Sequence, residues 1–221
     1  MSLAGHGKFC YKISCATACC FAALNLAHRS AAKSALTASP LKYTVMQFIH
    51  IPKNAGTTVG KMLGRNGIQF RVGASTGSHT RHWYARQFTR GDLAESFAIV
   101  RNPYTRVVSY YEWIRRRPKY RNLEFDEFVL TNYSVGRART AWQPQWDWIH
   151  SMEGEQLVKH ILRYETLEED LIRLFPTITG KFKHLNSSGI KDYDAYYSAL
   201  TRDAVAEWFS IDFMTFGYKT K

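Results

Sequence analysis

The sequence contains no aspartate or glutamate before Asp92, no cysteine after Cys20, and no uninterrupted apolar run long enough to be a confident membrane span. Each absence removes a class of protein. The four cysteines stand at Cys10, Cys15, Cys19 and Cys20, so residues 21–221 hold no internal disulfide. Their spacing also lacks the paired Cys/His pattern of a zinc site. A cysteine-free body favours a reducing compartment. The longest mostly apolar stretch, Ile13 to Ala27, falls between Lys12 and His28-Arg29. It is shorter than the roughly 18 residues that a spanning helix needs. No internal repeat is present.

What the chain does have is an uneven charge. Residues 1–91 carry 12 of the 30 lysines and arginines, and residues 92–221 balance at 18 basic against 18 acidic side chains. The net +12 therefore sits in the first part of the chain. That part should meet something anionic: a phosphate-bearing cofactor, an acidic polymer, a membrane or nucleic acid. The length, 221 residues, suits one compact domain, and 45% hydrophobic with 22% charged residues is a globular mixture. Residues 1–43 differ from the rest, being rich in Ala and Ser and free of acid. They fit a signal or transit peptide, a weak membrane anchor, or an over-extended start ahead of Met46. Residues 44–221 are the folded domain on this reading. With an anchor the protein is membrane-associated; without one it is cytoplasmic.

From Tyr43 onward, strand-like and helix-like segments alternate. Val45–Ile51, Ile68–Val72, Ser96–Val100 and Val158–Tyr164 read as strands. Helices are expected from Gly56 to about Arg65, over Arg81–Thr89, and from Asn102-Pro103 to about Arg117. Asn102 would cap that last helix, with Pro103 in its first position. Thr166 and Glu169 have the spacing of a capping box for a helix ending near Phe175. Two further helices are expected near Tyr193–Leu200 and Arg202–Phe209. Such alternation implies a mainly parallel sheet covered on both faces.

Two segments carry chemistry. The first runs from Phe48 to Thr58 (FIHIPKNAGTT): an apolar strand, a turn with Pro52 and Gly56, a lysine, and paired hydroxyls at a helix start. A helix N-terminus presents unpaired N–H groups and a positive dipole end to an anion. Small Ala55 and Gly56 permit close approach, Lys53 adds a cation, and Thr57 and Thr58 add donors. The ATP-type loop requires lysine between glycine and hydroxyl. Here Lys53 precedes the Gly56-Thr57-Thr58 step, which argues against an ordinary kinase or ATPase. The second segment is Phe97 to Tyr111 (FAIVRNPYTRVVSYY). Arg101 ends its strand, and Ser109 lies two turns into the following helix. A ligand at the strand's C-terminal edge is within reach of both, where open α/β sheets bind ligands. A strand-end salt bridge for Arg101 and a backbone-bonded hydroxyl for Ser109 are the structural alternatives.

These two segments resemble the 5′-phosphosulfate and 3′-phosphate motifs of the sulfotransferases. The resemblance is greatest to the carbohydrate branch that includes the chondroitin and heparan uronyl 2-O enzymes and their bacterial relatives. Ile161–Asp170 (ILRYETLEED), His184–Ser188 (HLNSS) and Asp212–Tyr218 (DFMTFGY) agree with it in order, so that it covers about Tyr43 to Tyr218. It implies an α/β domain of P-loop type, three-layered α/β/α with a mainly parallel sheet. It implies 3′-phosphoadenylyl sulfate as co-substrate, without a metal, and a carbohydrate or other hydroxyl acceptor that is anionic if the basic run docks it. Nucleic acid is not an expected partner. By resemblance Lys53, Asn54, Ala55, Gly56, Thr57 and Thr58 hold the phosphosulfate end, Arg101 and Ser109 hold the 3′-phosphate, and His184–Ser188 close over the nucleotide. It also places a catalytic base within Ser78–Trp83, where His79 is the candidate and His82 its competitor. The chain is shorter than the family's Golgi enzymes and lacks their later cysteines.

Other residues admit two readings. Arg115, Arg116, Arg117, Lys119 and Arg121 form either a solvated helix end or a docking patch for an anionic acceptor. Trp142, Trp146 and Trp148 around Pro144 suit a core or lid, or stacking on a sugar. Glu165 either orients neighbours or makes an ion pair, and His50 is structural. A small-molecule kinase and a non-catalytic anionic-glycan-binding module are the rival functions; the first requires ATP and magnesium, the second salt-sensitive polymer binding that survives loss of Lys53.

Overall fold

A computed structural model describes residues 45–72, 83–135, 140–180, 189–190 and 192–221. Tyr43–Lys221 forms one compact unit. Its centre is a four-stranded, all-parallel sheet in the order β2-β1-β3-β4. The strands are β1 (Met46–Ile49), β2 (Phe70–Val72), β3 (Ser96–Val100) and β4 (His160–Arg163). Between them, in chain order, lie helix α1 (Gly56–Arg65), the short α2 (Arg90–Leu93), α3 (Pro103–Arg115), α4 (Phe125–Val135) and α5 (Trp146–Ile149); α6 (Leu167–Leu174), α7 (Ala199–Trp208) and α8 (Ser210–Phe216) follow β4.

Strand alternation sorts the apolar residues onto two faces. Phe48, Phe97, Ile99 and Leu162 pack with Val59 and Leu63 of α1 and Leu167 and Leu171 of α6. Ile49, Ala98 and Val100 point the other way, into Leu93, Trp148, Ile149 and Phe216. All five residues of β3 are buried, as a central parallel strand requires. A third, helical core joins α3, α4, α7 and α8 through Tyr104, Val108, Phe128, Trp142, Val205 and Phe213. The α/β fold with a parallel sheet and helices on both faces is the expected one.

Local expectations divide. Helix α1 spans the anticipated residues, and Asn102 caps α3 by accepting the Tyr104 N–H at 3.0 Å, with Pro103 in the first position. Residues 83–89 are not an α-helix: a single 3-10 turn, Ala85–Gln87, ends at extended Phe88, and Thr89 instead caps α2 by accepting the Asp92 N–H. The Thr166 capping box does not form. The Thr166 hydroxyl pairs with the Asp170 carboxylate, which also accepts the Arg163 N–H at 2.8 Å, so this acid ties helix α6 to β4. Near the C-terminus a 3-10 turn at Asp194–Tyr196 precedes α7. Ser198 caps α7, and the helix breaks at Phe209, before α8. The expected helix across Tyr193–Leu200 therefore fails where Tyr197 turns extended.

Candidate functional site

In the order β2-β1-β3-β4 the chain crosses to opposite sides of β1 and β3, which leaves a crevice beyond their carboxyl ends. The Pro52–Gly56 turn follows β1, and Arg101 follows β3.

The turn is conformationally costly. Lys53 and Ala55 have φ of 72° and 61°, a left-handed region that L-residues other than glycine seldom occupy. Side chains from elsewhere hold it there. Asn54, buried, donates its amide N–H groups to the Ile99 carbonyl (2.6 Å) and the Gln145 side chain (2.7 Å). Arg101 Nη1 donates to the Lys53 carbonyl at 3.2 Å, and Arg106 Nε to the Pro52 carbonyl at 3.2 Å. Helix α1 then starts with no side-chain cap and no acid in its first turn, so its end retains anion-binding capacity. Gly56 permits the close packing: a Cβ there would lie 1.9 Å from His50 Nε2, so the ring or the turn would have to move. His50 is in turn stacked on Phe48. Thr58 is buried at the helix start and Thr57 is exposed.

Lys53 points along α3, where its Nζ lies 5.2 Å from the centroid of the Trp113 ring. Burial pushes its pKa down to about 8, helped by the positive charges of Arg101 and Arg116. A lysine so destabilised as a cation is poised to gain from an incoming anion.

Arg101 is nearly fully buried. Its guanidinium donates to the Thr105 hydroxyl, the Lys53 carbonyl and the Tyr193 hydroxyl, and rests 3.9 Å over the Tyr164 ring. Every one of these partners is neutral; among the described residues no carboxylate pairs with Arg101, so the strand-end salt bridge is not what it makes. Ser109 lies two turns along α3, half-buried, at the i+4 position from Thr105, which puts it on the same helix face. The structure thus brings the Lys53 turn and Arg101 into direct contact and sets Ser109 on the helix that leaves Arg101. His79, its competitor His82, and His184–Ser188 lie outside the described residues.

Three buried residues to which the sequence pattern gave no role, Gln145, Asp212 and Arg106, hold the arrangement together, although Asp212 and Arg106 lie within segments that carry the family resemblance. Gln145 bonds Asn54, both backbone groups of Arg101, and Asp212. Asp212, on α8, accepts the backbone N–H groups of Gln145 (2.8 Å) and Trp146 (2.9 Å). Burial pushes its pKa up to about 6 against the attraction of Arg106. Burial also lowers Arg106 to about 10. The available hints were an arginine among the apolar positions of α3 and a glutamine between tryptophans. Neither is legible as a site without the fold, because their partners lie tens of residues away.

The remaining candidates resolve simply. Glu165 makes no ion pair among the described residues; it orients, accepting the Asn102 N–H at 2.8 Å and the Tyr218 hydroxyl at 2.9 Å. Trp142 and Trp148 are fully buried core residues, so they cannot stack on a sugar. In the basic run, Arg115 pairs with Glu112 at 3.5 Å, while Arg117 lies 4.2 Å from the Trp113 ring centroid, and Trp113 is an exposed aromatic. Among the described residues no helix is long and apolar enough to cross a membrane.

The fold is a parallel α/β sheet whose central strands end in a strained lysine turn and in an arginine that no carboxylate pairs with among the described residues. The sequence profile of the Sulfotransferase family matches residues 42–219, and the chain belongs to that family. A comparison with curated protein sequences gives no significant match.

Proposed function

We propose that the protein transfers a sulfonate group from 3′-phosphoadenylyl sulfate to a hydroxyl of a carbohydrate acceptor. One observation carries the reading: two cations without carboxylate partners among the described residues, Lys53 and Arg101, meet at the crevice beyond β1 and β3, joined by the 3.2 Å bond between the Arg101 guanidinium and the Lys53 carbonyl. The uncapped start of α1 and the Arg101 cation at the end of β3 are thus neighbours, which supports binding of a nucleotide with phosphates at its 5′ and 3′ positions. The co-substrate, when bound, supplies a sulfonate joined to a phosphate leaving group.

The chain's own residues then have separable tasks. Lys53, Asn54, Ala55, Gly56, Thr57 and Thr58 hold the 5′-phosphosulfate end, with Lys53 offsetting charge that grows on the leaving phosphate. Arg101 and Ser109 hold the 3′-phosphate. His79 removes the acceptor's hydroxyl proton as the oxygen bonds to sulfur. The exposed Arg116, Arg117 and Trp113 beside Lys53 support docking of an anionic sugar there.

Calorimetry with adenosine 3′,5′-bisphosphate against ATP tests the donor. The bisphosphate should bind more tightly, and Arg101→Ala should weaken it by about 2–4 kcal/mol, the scale for losing one partner of a buried charged contact. Equal affinity for ATP would remove the 3′-phosphate assignment and favour a kinase.

A further inference from the structure

Gln145 belongs to neither phosphate-binding segment. It lies 91 residues from Asn54 and 44 from Arg101 in sequence, and it is fully buried where α5 begins. Its side-chain amide is completely used. The oxygen accepts from Asn54 Nδ2 (2.7 Å) and the Arg101 backbone N–H (2.8 Å), and the nitrogen donates to the Arg101 carbonyl (2.8 Å) and Asp212 Oδ2 (3.2 Å). Two donors face the oxygen and two acceptors face the nitrogen, so only one orientation of the amide satisfies all four contacts. By pairing with both the N–H and the C=O of Arg101, one side chain does what a residue on an antiparallel neighbour would do. It does so one residue past the end of β3, where the sheet has stopped.

We propose that Gln145 is a positioning residue that sets the spacing between the Lys53 turn and Arg101, and so the separation of the two phosphate groups that the site accepts. The inference rests on the nucleotide reading above. Asn54 is the link: the same amide group that Gln145 holds also holds Ile99, and it sits between the two residues of positive φ. Without Gln145, the turn and the Arg101 backbone lose their common partner, while each anion site keeps its own residues. Recognition of two linked phosphates gains from both binding at once, and that gain depends on geometry. Mis-spacing therefore lowers affinity for the bisphosphate and spares affinity for a single phosphate, a signature that general destabilisation does not produce.

The experiment is calorimetry of adenosine 3′,5′-bisphosphate and of AMP with the full chain and with Gln145→Met and Gln145→Glu. Met keeps the volume and removes the hydrogen bonds. The preference for bisphosphate over AMP should fall about tenfold or more, the size of a lost hydrogen bond or two, with AMP affinity held. Glutamate faces Asp212 as an anion and cannot donate, so Gln145→Glu should show the same loss near pH 8. Relative to the unaltered protein it should recover in part as pH falls toward about 5.5 and its buried carboxyl takes up a proton, because the single O–H of the acid restores one of the two donated bonds. If the unaltered protein shows no preference for the bisphosphate, the nucleotide reading falls, and this inference with it. If it shows one and both variants retain it, the positioning role alone is overturned. Equal losses for both ligands, or unfolding of both variants without recovery in acid, also overturn it, leaving Gln145 a folding residue.

Discussion

At the scale of single residues, the site combines chemistry with cost. Lys53 has positive φ, is largely buried, and has Arg101 and Arg116 as electrostatic neighbours. Its pKa, lowered from 10.5 to about 8, means that the unfolded chain binds the proton more tightly. Stability should therefore rise with pH between about 8 and 10.5, and the penalty is fully present below pH 8. Lys53→Met should raise stability at pH 7 by about 1–2 kcal/mol once solvent screening is discounted, while nearly abolishing turnover. Thermal melts across pH 7–10 check the first part; a variant no more stable than the parent at pH 7 would contradict the buried-cation account. His79 is read from its place in the motif order. An acceptor hydroxyl is too weakly acidic to react unaided at neutral pH, and a histidine titrates where a base is needed. His79→Ala should reduce kcat by about 10²–10⁴-fold with nucleotide affinity kept. Normal turnover in that variant with a dead His82→Ala would move the role to His82, and activity in both would remove histidine from the mechanism.

At the scale of elements, two helix starts and two strand ends make the site. Helix α1 approaches β1 so closely that Gly56 touches the His50 ring, which Phe48 keeps in place by stacking. Gly56→Ala must displace either the ring or the turn. It should destabilise by about 1–3 kcal/mol, the usual cost of overpacking, and weaken bisphosphate binding as the first turn of α1 shifts. Denaturant unfolding paired with calorimetry measures both; unchanged values would mean that the ring yields freely. The elements that build the crevice were legible beforehand because their signals are local. Ser96–Val100 is an apolar run of strand length, and Asn102-Pro103 carries a helix start in two residues. The elements misread have competing signals. Thr166 and Glu169 have capping-box spacing, but Asp170 offers the hydroxyl and the Arg163 N–H a carboxylate partner. Ser198 resets the helix that a continuous reading starts at Tyr193.

At the scale of the whole molecule, the strand order brings segments 44 to 91 residues apart into one buried hydrogen-bond network around Gln145. All of these residues lie within the unit Tyr43–Lys221. A chain shortened to begin near Leu41 should therefore fold and bind adenosine 3′,5′-bisphosphate as the full chain does. Insoluble protein, or folded protein without nucleotide affinity, would give the residues before Leu41 a part in the domain. The sequence by itself determined the α/β class and the separation of Lys53 from an ATP-type loop, because periodicity, capping and motif order act over a few residues. Only the tertiary structure decided that Arg101 is bonded solely to neutral groups among the described residues. The same is true of the burial of Trp142 and Trp148 and of the assembly of Gln145, Arg106 and Asp212 behind the site. Those facts depend on which groups share a low-dielectric interior, and that is set by how strands cross and helices pack, not by neighbours along the chain.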